Sequence, residues 1–276
     1  MPAEEEGPSF PAAFDIRVTF GPDGSLSGRF GTGVLDELIA GIDEFQKAVT
    51  AHPAYHSLGA AMLGAFAWLD DNRLLERIAS YPYACVTFTK QPRPFPPRKL
   101  ARLQNVLDRS RGFPAAALEG LETLMPLDDL GQPQIVGPHS PAPNHMFRPL
   151  RTLGYRRVGD KLVPLLHAKL MLLGELTWME DEEFGLGDIT RFQPGKLWIG
   201  SANGTFSSRF NLEMGCWQTQ PDLLGSAQTF LTRILANSEN LDADPDTMQP
   251  DLAETEYDDQ AMAEAMAELP DDDYDW

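Results

Sequence analysis

The chain has 276 residues, 42% apolar and 23% charged, with 41 acidic side chains against 22 basic ones and a formal net charge of −19. These are globular proportions for one large domain or two small ones, which excludes collagen, coiled coil and wholesale disorder. No window reaches the about 18 uncharged apolar residues of a membrane span, and the opening MPAEEEGPSF lacks the basic-then-apolar layout of a signal peptide. Cys85 and Cys216 lie in apolar runs without CxxC spacing, so reduced core thiols and a soluble, cytoplasmic protein are expected.

After a flexible acidic N-terminus, residues 1 to 13, the segment FDIRVTF (14 to 20) alternates as a strand and GPDGS (21 to 25) reads as a turn. Leu35, Leu38, Ile39, Ile42, Phe45 and Val49 share one face of a helix, with Thr32 as its expected cap and Asp36 and Glu37 near its positive end. Leu58 to Trp68 reads as a buried strand, Asp70 and Asp71 start a helix carrying Leu74, Leu75 and Ile78, and Tyr83 to Thr89 returns as a strand. This cadence is a βαβ unit, whose right-handed crossover makes its strands parallel. Beyond the Pro-rich bend QPRPFPP, Pro97 opens an amphipathic helix with Leu100, Leu103 and Val106 inward and Arg98, Lys99, Arg102 and Arg109 outward. Val163 to Leu173, Leu197 to Gly200 and Leu212 to Trp217 read as further apolar strands, and Leu223, Ala227, Phe230, Leu231 and Ile234 line a closing helix. No linker interrupts residues 14 to 237, which read as one α/β domain.

The charge is unevenly placed. Residues 238 to 276 hold 15 acids and no base, leaving 26 acids against 22 bases in the body. Such a tail cannot bury enough apolar surface to offset its ordering entropy and is expected to be disordered. Within it, Tyr257, Ala261, Met262, Ala265, Met266 and Leu269 recur at helical spacing, fit for folding on a partner protein or for mimicking nucleic acid. The body carries two basic clusters, Lys90, Arg93, Arg98, Lys99, Arg102, Arg109 and Arg111 against Asp108, and Arg148, Arg151, Arg156, Arg157 and Lys161 against Asp160. Each fits a phosphate track or a solvated surface equally well. On the first reading Arg98, Lys99, Arg102, Arg148, Arg151, Arg156 and Arg157 bind substrate, while Phe95, Phe147 and Tyr155 stack on bases or pack.

The chemistry is concentrated in VPLLHAKLMLLG, where His167 and Lys169 interrupt an apolar strand and, at i and i+2, project to one face. A buried ammonium requires an anionic partner or a cleft; the structural alternative is a hydrogen-bonded core histidine beside a snorkelling lysine. Ser201 and Asn203 repeat the spacing after the next apolar run, flanked by Gly200 and Gly204, and Asn211 and Glu213 repeat it again. Three such pairs at successive strand ends form one polar floor.

H-A-K at 167 to 169, G-S-A-N at 200 to 203 and N-L-E at 211 to 213 resemble the HxK(x)nD, GSxN and NxE signature of the phospholipase D superfamily, loosely over residues 14 to 237. The resemblance implies an αβα sandwich with a mixed, mostly parallel central sheet, and catalysis through a phosphohistidine without metal or cofactor. It implies that His167 attacks phosphorus, that Lys169, Ser201 and Asn203 hold the non-bridging oxygens, and that Glu213 orients the imidazole. The family's Asp lies five residues after the Lys, where this chain has Gly174; Glu175 and Asp188 are the nearby carboxylates. His52, His56, His139 and His145 have no Lys two residues on, so the second histidine that protonates the leaving oxygen is expected from a twofold partner, as in the single-motif nucleases of the family. Such nucleases occur in bacterial restriction and phage defence. The basic clusters favour nucleic acid, and the acidic loop 179 to 188 stands against it. A lipid phosphodiesterase and a catalytically weak scaffold using the tail for assembly are the alternatives.

Overall fold

The structure is a computed structural model that describes residues 15–20, 26–91, 95–125, 127, 133–135, 145–154, 156–158, 161–163, 165–180 and 188–241. Strands β1 (Ile16–Phe20) and β2 (Leu26–Gly31) form an antiparallel hairpin with Ile16 opposite Phe30. Helix α1 (Val34–Ala51) buries Val34, Leu35, Leu38, Ile39, Ile42 and Val49; its cap position falls on Gly33 rather than Thr32, with Asp36 and Glu37 in the first turn. β3 (Ser57–Phe66) leads to α2 (Asn72–Ser80), where the Asp71 carboxylate caps the helix by accepting from the Arg73 and Leu74 amides. β4 (Tyr83–Thr89) and α3 (Pro97–Arg109) follow; α3 buries Leu103 and Val106 but leaves Leu100 exposed.

The two-residue strands β5 (Phe113–Pro114) and β6 (Met146–Phe147) pair with each other, β7 (Leu150–Leu153) joins the main sheet, and β8 (Arg156–Val158) and β9 (Lys161–Val163) make a small hairpin. β10 (Lys169–Glu180) and β11 (Asp188–Gly200) form one long hairpin, continued by β12 (Glu213–Gln218), α4 (Pro221–Ala236) and β13 (Glu239–Asn240). On α4, Leu224 takes the buried position, while Leu223 and Phe230 are exposed instead of lining the core.

The nine-stranded sheet has the order β1-β2-β12-β11-β10-β3-β4-β7-β13. Only β3 with β4 and β4 with β7 are parallel, so the sheet is mixed but mostly antiparallel, which corrects the mostly parallel expectation. The reason is connection length. A parallel pair needs a crossover of a dozen or more residues, whereas only seven residues separate β10 from β11.

Alternation along the strands sends side chains to two cores. On one face Met62, Phe66, Val86, Met171, Trp198 and Trp217 pack with α1, α2 and α3. On the other, Ala61, Leu63, Cys85, Leu172 and Leu197 pack with α4 and with Phe113, Leu118 and Leu121. Gly41 lets α1 lie directly on Trp217, since a Cβ there would come within 2.4 Å of the indole. The described residues form no helix long and apolar enough to cross a membrane.

The folded chain continues past Asn237. Ser238 and Glu239 are fully buried, and β13 closes the sheet with Glu239 opposite Thr152 and Asn240 opposite Arg151. The Lys90 ammonium lies 2.9 Å from Glu239 Oε1, with both side chains buried. Arg151 donates to Ser238 Oγ, to the Ser238 carbonyl and to Asn240 Oδ1. The boundary expected at 237 therefore moves to about Leu241, and residues 242–276, like residues 1–14, lie outside the described residues. Removing one partner of a buried ion pair leaves an uncompensated charge. Glu239→Ala is expected to cost about 3–5 kcal/mol in urea unfolding, and truncation after Asn237 should destabilise similarly.

Candidate functional site

Register brings the motif residues to one edge of the sheet. Lys169 opens β10 opposite Phe66 at the end of β3, Leu170 pairs with Ile199, and Gly200 pairs with Gly215. The end of β11 and the start of β12 therefore flank the start of β10.

His167 precedes this strand. β10 begins at Lys169, not at Val163, so strand alternation is not what unites the pair. Leu166 is buried, and its carbonyl accepts from Thr89 Oγ1 at 2.7 Å, which pins the approach and leaves His167 exposed. Lys169 then folds back: its Nζ donates to the His167 carbonyl at 3.0 Å and lies 3.2 Å from both ring nitrogens. Desolvation holds the Lys169 ammonium below the ordinary lysine range, and the Glu213 carboxylate opposes that shift.

Ser201 extends the ladder beyond β11. Its amide donates to the Met214 carbonyl at 2.8 Å, its Oγ accepts from the Met214 amide at 2.9 Å, and the hydroxyl donates to Glu213 Oε2. Glu213 thus meets Ser201 and acts on Lys169, whereas the resemblance implied a bond to the imidazole. Asn211 is exposed in the turn before β12. Asn203 Oδ1 is buried and has no hydrogen-bond partner among the described residues, a state that costs about 1–3 kcal/mol.

The loop carrying Ser201 and Asn203 is clamped by two residues that the sequence marked only as a helix start. The Asp70 and Asp71 amides donate to the Gly204 carbonyl at 2.8 and 2.9 Å, and the Gly204 amide donates to Trp68 O at 3.1 Å. Asp70 Oδ1 accepts from the Phe206 amide, and the fully buried Asp71 accepts from Arg209 Nε at 2.6 Å. A side chain at Gly204 would press on Leu69, with Cβ 2.7 Å from its Cδ1. The signal available in sequence was the doubled acid, of which helix capping needs only one.

The carboxylates considered in place of the motif Asp lie elsewhere. Glu175 Oε1 accepts from the Ala54 amide and anchors the turn before β3. Asp188 pairs with Glu180 at the far end of the hairpin, eleven residues and about 36 Å from Lys169 along β10. Gly174 is itself required: a Cβ there would come within 2.3 Å of the Gln193 carbonyl and 2.5 Å of the Phe192 ring.

The basic residues do not form one surface. Arg98 is exposed and Lys99 half-buried at the N-terminus of α3; Lys99 Nζ lies 3.8 Å from Asp70 and over the Phe95 ring at 5.2 Å, which puts Lys99 at the site edge. Arg102 is exposed one turn further along. Arg148 lies toward the opposite end of β4, where its carbonyl accepts from Cys85 Sγ. Arg151 is buried in the β13 network and stacks on the buried Phe147 at 5.1 Å, which removes both from a phosphate track. The β8–β9 hairpin leaves β7 and returns to Leu165 on the site edge, but the side chains of Arg156, Arg157 and Lys161, like Arg93, Tyr155, His139 and the acidic residues 181–187, are outside the described residues. Among the described residues no three or more His, Cys, Asp or Glu side chains are grouped to hold a metal.

Restoring the family's Asp by Gly174→Asp is expected to destabilise by about 2–4 kcal/mol in thermal unfolding, because the backbone of β11 cannot yield. Removing the Glu213 charge with Glu213→Gln takes away the interaction that raises the Lys169 pKa, so Lys169 should titrate at lower pH, as read from its ¹³Cε chemical shift; an unchanged titration contradicts the coupling. No protein-family model and no curated protein matches this chain.

Proposed function

We propose that the chain is a metal-independent phosphodiesterase of the phospholipase D type, acting on nucleic acid through a phosphohistidine at a site shared by a homodimer. The observation that carries this reading is the meeting of Lys169, Ser201 and Glu213 on adjoining strand ends beside the exposed imidazole of His167. In this reading His167 attacks phosphorus and a P–N bond forms as the P–O bond to the leaving group breaks. The leaving oxygen takes its proton from the second protomer's His167, which then removes a proton from the water that cleaves the P–N bond. Lys169, Ser201 and Asn203 stabilise charge on the non-bridging oxygens. Glu213 works through its neighbours, keeping Lys169 charged and orienting the Ser201 hydroxyl.

Lys99 at the site edge, with Arg98 exposed beside it in the chain, favours a polyanionic substrate over a single headgroup. Exposed Trp68 and Leu165 beside the site favour, as a second reading, a lipid phosphodiester. Bacterial phage defence is the setting that suits a nuclease of this kind.

The test incubates the protein, with and without EDTA, and its His167→Ala form with single-stranded and duplex DNA, RNA and phosphatidylcholine vesicles. Nucleic-acid cleavage that survives EDTA and falls about a thousandfold or more in His167→Ala supports the proposal. Cleavage of lipid alone transfers it to the second reading. Inertness toward every substrate overturns it in favour of a scaffold, and full activity in a species that light scattering shows to be monomeric overturns the shared site.

A further inference from the structure

β11 is paired on both sides only from Leu197 to Gly200, where β12 adjoins it; from Asp188 to Lys196 its one strand neighbour among the described residues is β10. Beside this free stretch lies a cavity of about 600 Å³, a volume typical of ligand sites, bordered by the turn after β5 and by Gln228 of α4. The strand lines it with Ile189 and then with Arg191, Phe192, Gln193 and Pro194 in unbroken succession. Side chains alternate between the two faces of a strand, so a cavity that touches consecutive residues runs along the strand's edge and not over one face. No described residue bonds to the outward N–H and C=O groups of Asp188 to Gln193. Pro194 has no N–H and ends the run at six residues, about 20 Å. An unpaired edge of this kind accepts an added strand.

The lining determines which strand fits. Phe192 packs with Ala117, Leu118 and Leu121 in the core under α4, so alternation puts Arg191 and Gln193 on the opposite face. Glu119 and Glu122 stand exposed on the turn that packs against Phe192, and both line the cavity. Neither carboxylate, nor the exposed Arg191, has an ion-pair partner among the described residues. A strand added along this edge therefore meets two carboxylates with the side chains of one face and a guanidinium with those of the other. Met179 and Ile189, exposed and opposite each other in the ladder, add apolar surface to the same cavity.

We propose that Asp188 to Gln193 is a docking edge for an extended segment of a partner protein. The segment adds to β11 as a further strand, presenting basic side chains at alternate positions to Glu119 and Glu122 and polar or acidic ones between them to Arg191. Arg191 lies opposite Thr177, eight residues and about 26 Å along β10 from Lys169, so this edge is separate from the candidate site. The docking does not rest on the phosphodiesterase reading.

Fluorescence anisotropy of the full chain with labelled heptapeptides at low salt tests the docking without reference to activity. A peptide of alternating Lys and Thr is expected to bind about tenfold or more tightly than one of alternating Glu and Thr. It should also exceed, by a similar factor, the Lys and Thr peptide whose central Thr is replaced by Pro, which keeps every charge but cannot pair as a strand. Glu119→Gln with Glu122→Gln should remove the preference for Lys over Glu. At saturating Lys and Thr peptide, the outward amides of 189–193 are expected to exchange about tenfold or more slowly with solvent. No binding at about millimolar peptide, equal binding of the Glu or the Pro peptide, or binding that leaves exchange in 189–193 unchanged overturns the proposal. So does protection of these amides without peptide that grows with protein concentration, which assigns the edge to a second copy.

Discussion

The register of β10, β11 and β12 is the constraint on which the candidate site depends. A one-residue slip between antiparallel strands would send Lys169, Ser201 and Glu213 to different levels and faces. The register is held by packing far from the edge. Trp198 and Trp217 are opposite each other in the ladder and in edge-to-face contact at 5.1 Å under α1, and Gly41 and Gly215 allow their rings to approach backbone. Gly174 accommodates the bulge in the β10–β11 ladder, where Phe192 and Gln193 close over it. The position that bears a carboxylate in the signature this chain resembles is here committed to strand packing.

Electrostatics at the edge follow from this geometry. Lys169 is desolvated, which disfavours its charge, while Glu213 favours it and also holds Ser201. The ammonium, kept close to the imidazole, is poised to pair with an anion. Asp70 and Asp71 are engaged by backbone amides, Lys99 and Arg209, which leaves Glu213 as the acid acting on Lys169. The net charge of −19 says little about this surface, because the acidic surplus is concentrated beyond Leu241.

Much of the fold could be read from periodicity. β4 spans the residues expected for it, β3 is displaced by one or two, and α3 begins at the expected proline, because each is a strongly patterned local element. The long β10–β11 hairpin was missed because Pro194, Gly195 and the charged stretch near its turn break the apolar run from which strands are recognised. Arg151 and Lys90 looked like phosphate ligands because their acceptors, Ser238 and Glu239, lie 87 and 149 residues away, beyond any local pattern. The motif residues themselves were legible. What sequence did not hold was which of them touch: Lys169, not Glu213, contacts the imidazole, and Asp70 and Asp71 set the loop.

The central claim is that His167 is the nucleophile. The most direct measurement is an alkaline quench during turnover of a nucleic-acid substrate, followed by mass spectrometry of the peptide containing His167, since a phosphohistidine survives base. The account predicts an adduct on His167 in which phosphorus still carries the retained nucleotide ester, accumulating during turnover and disappearing when substrate is exhausted. Turnover with no adduct, or an adduct on any other residue, would contradict it.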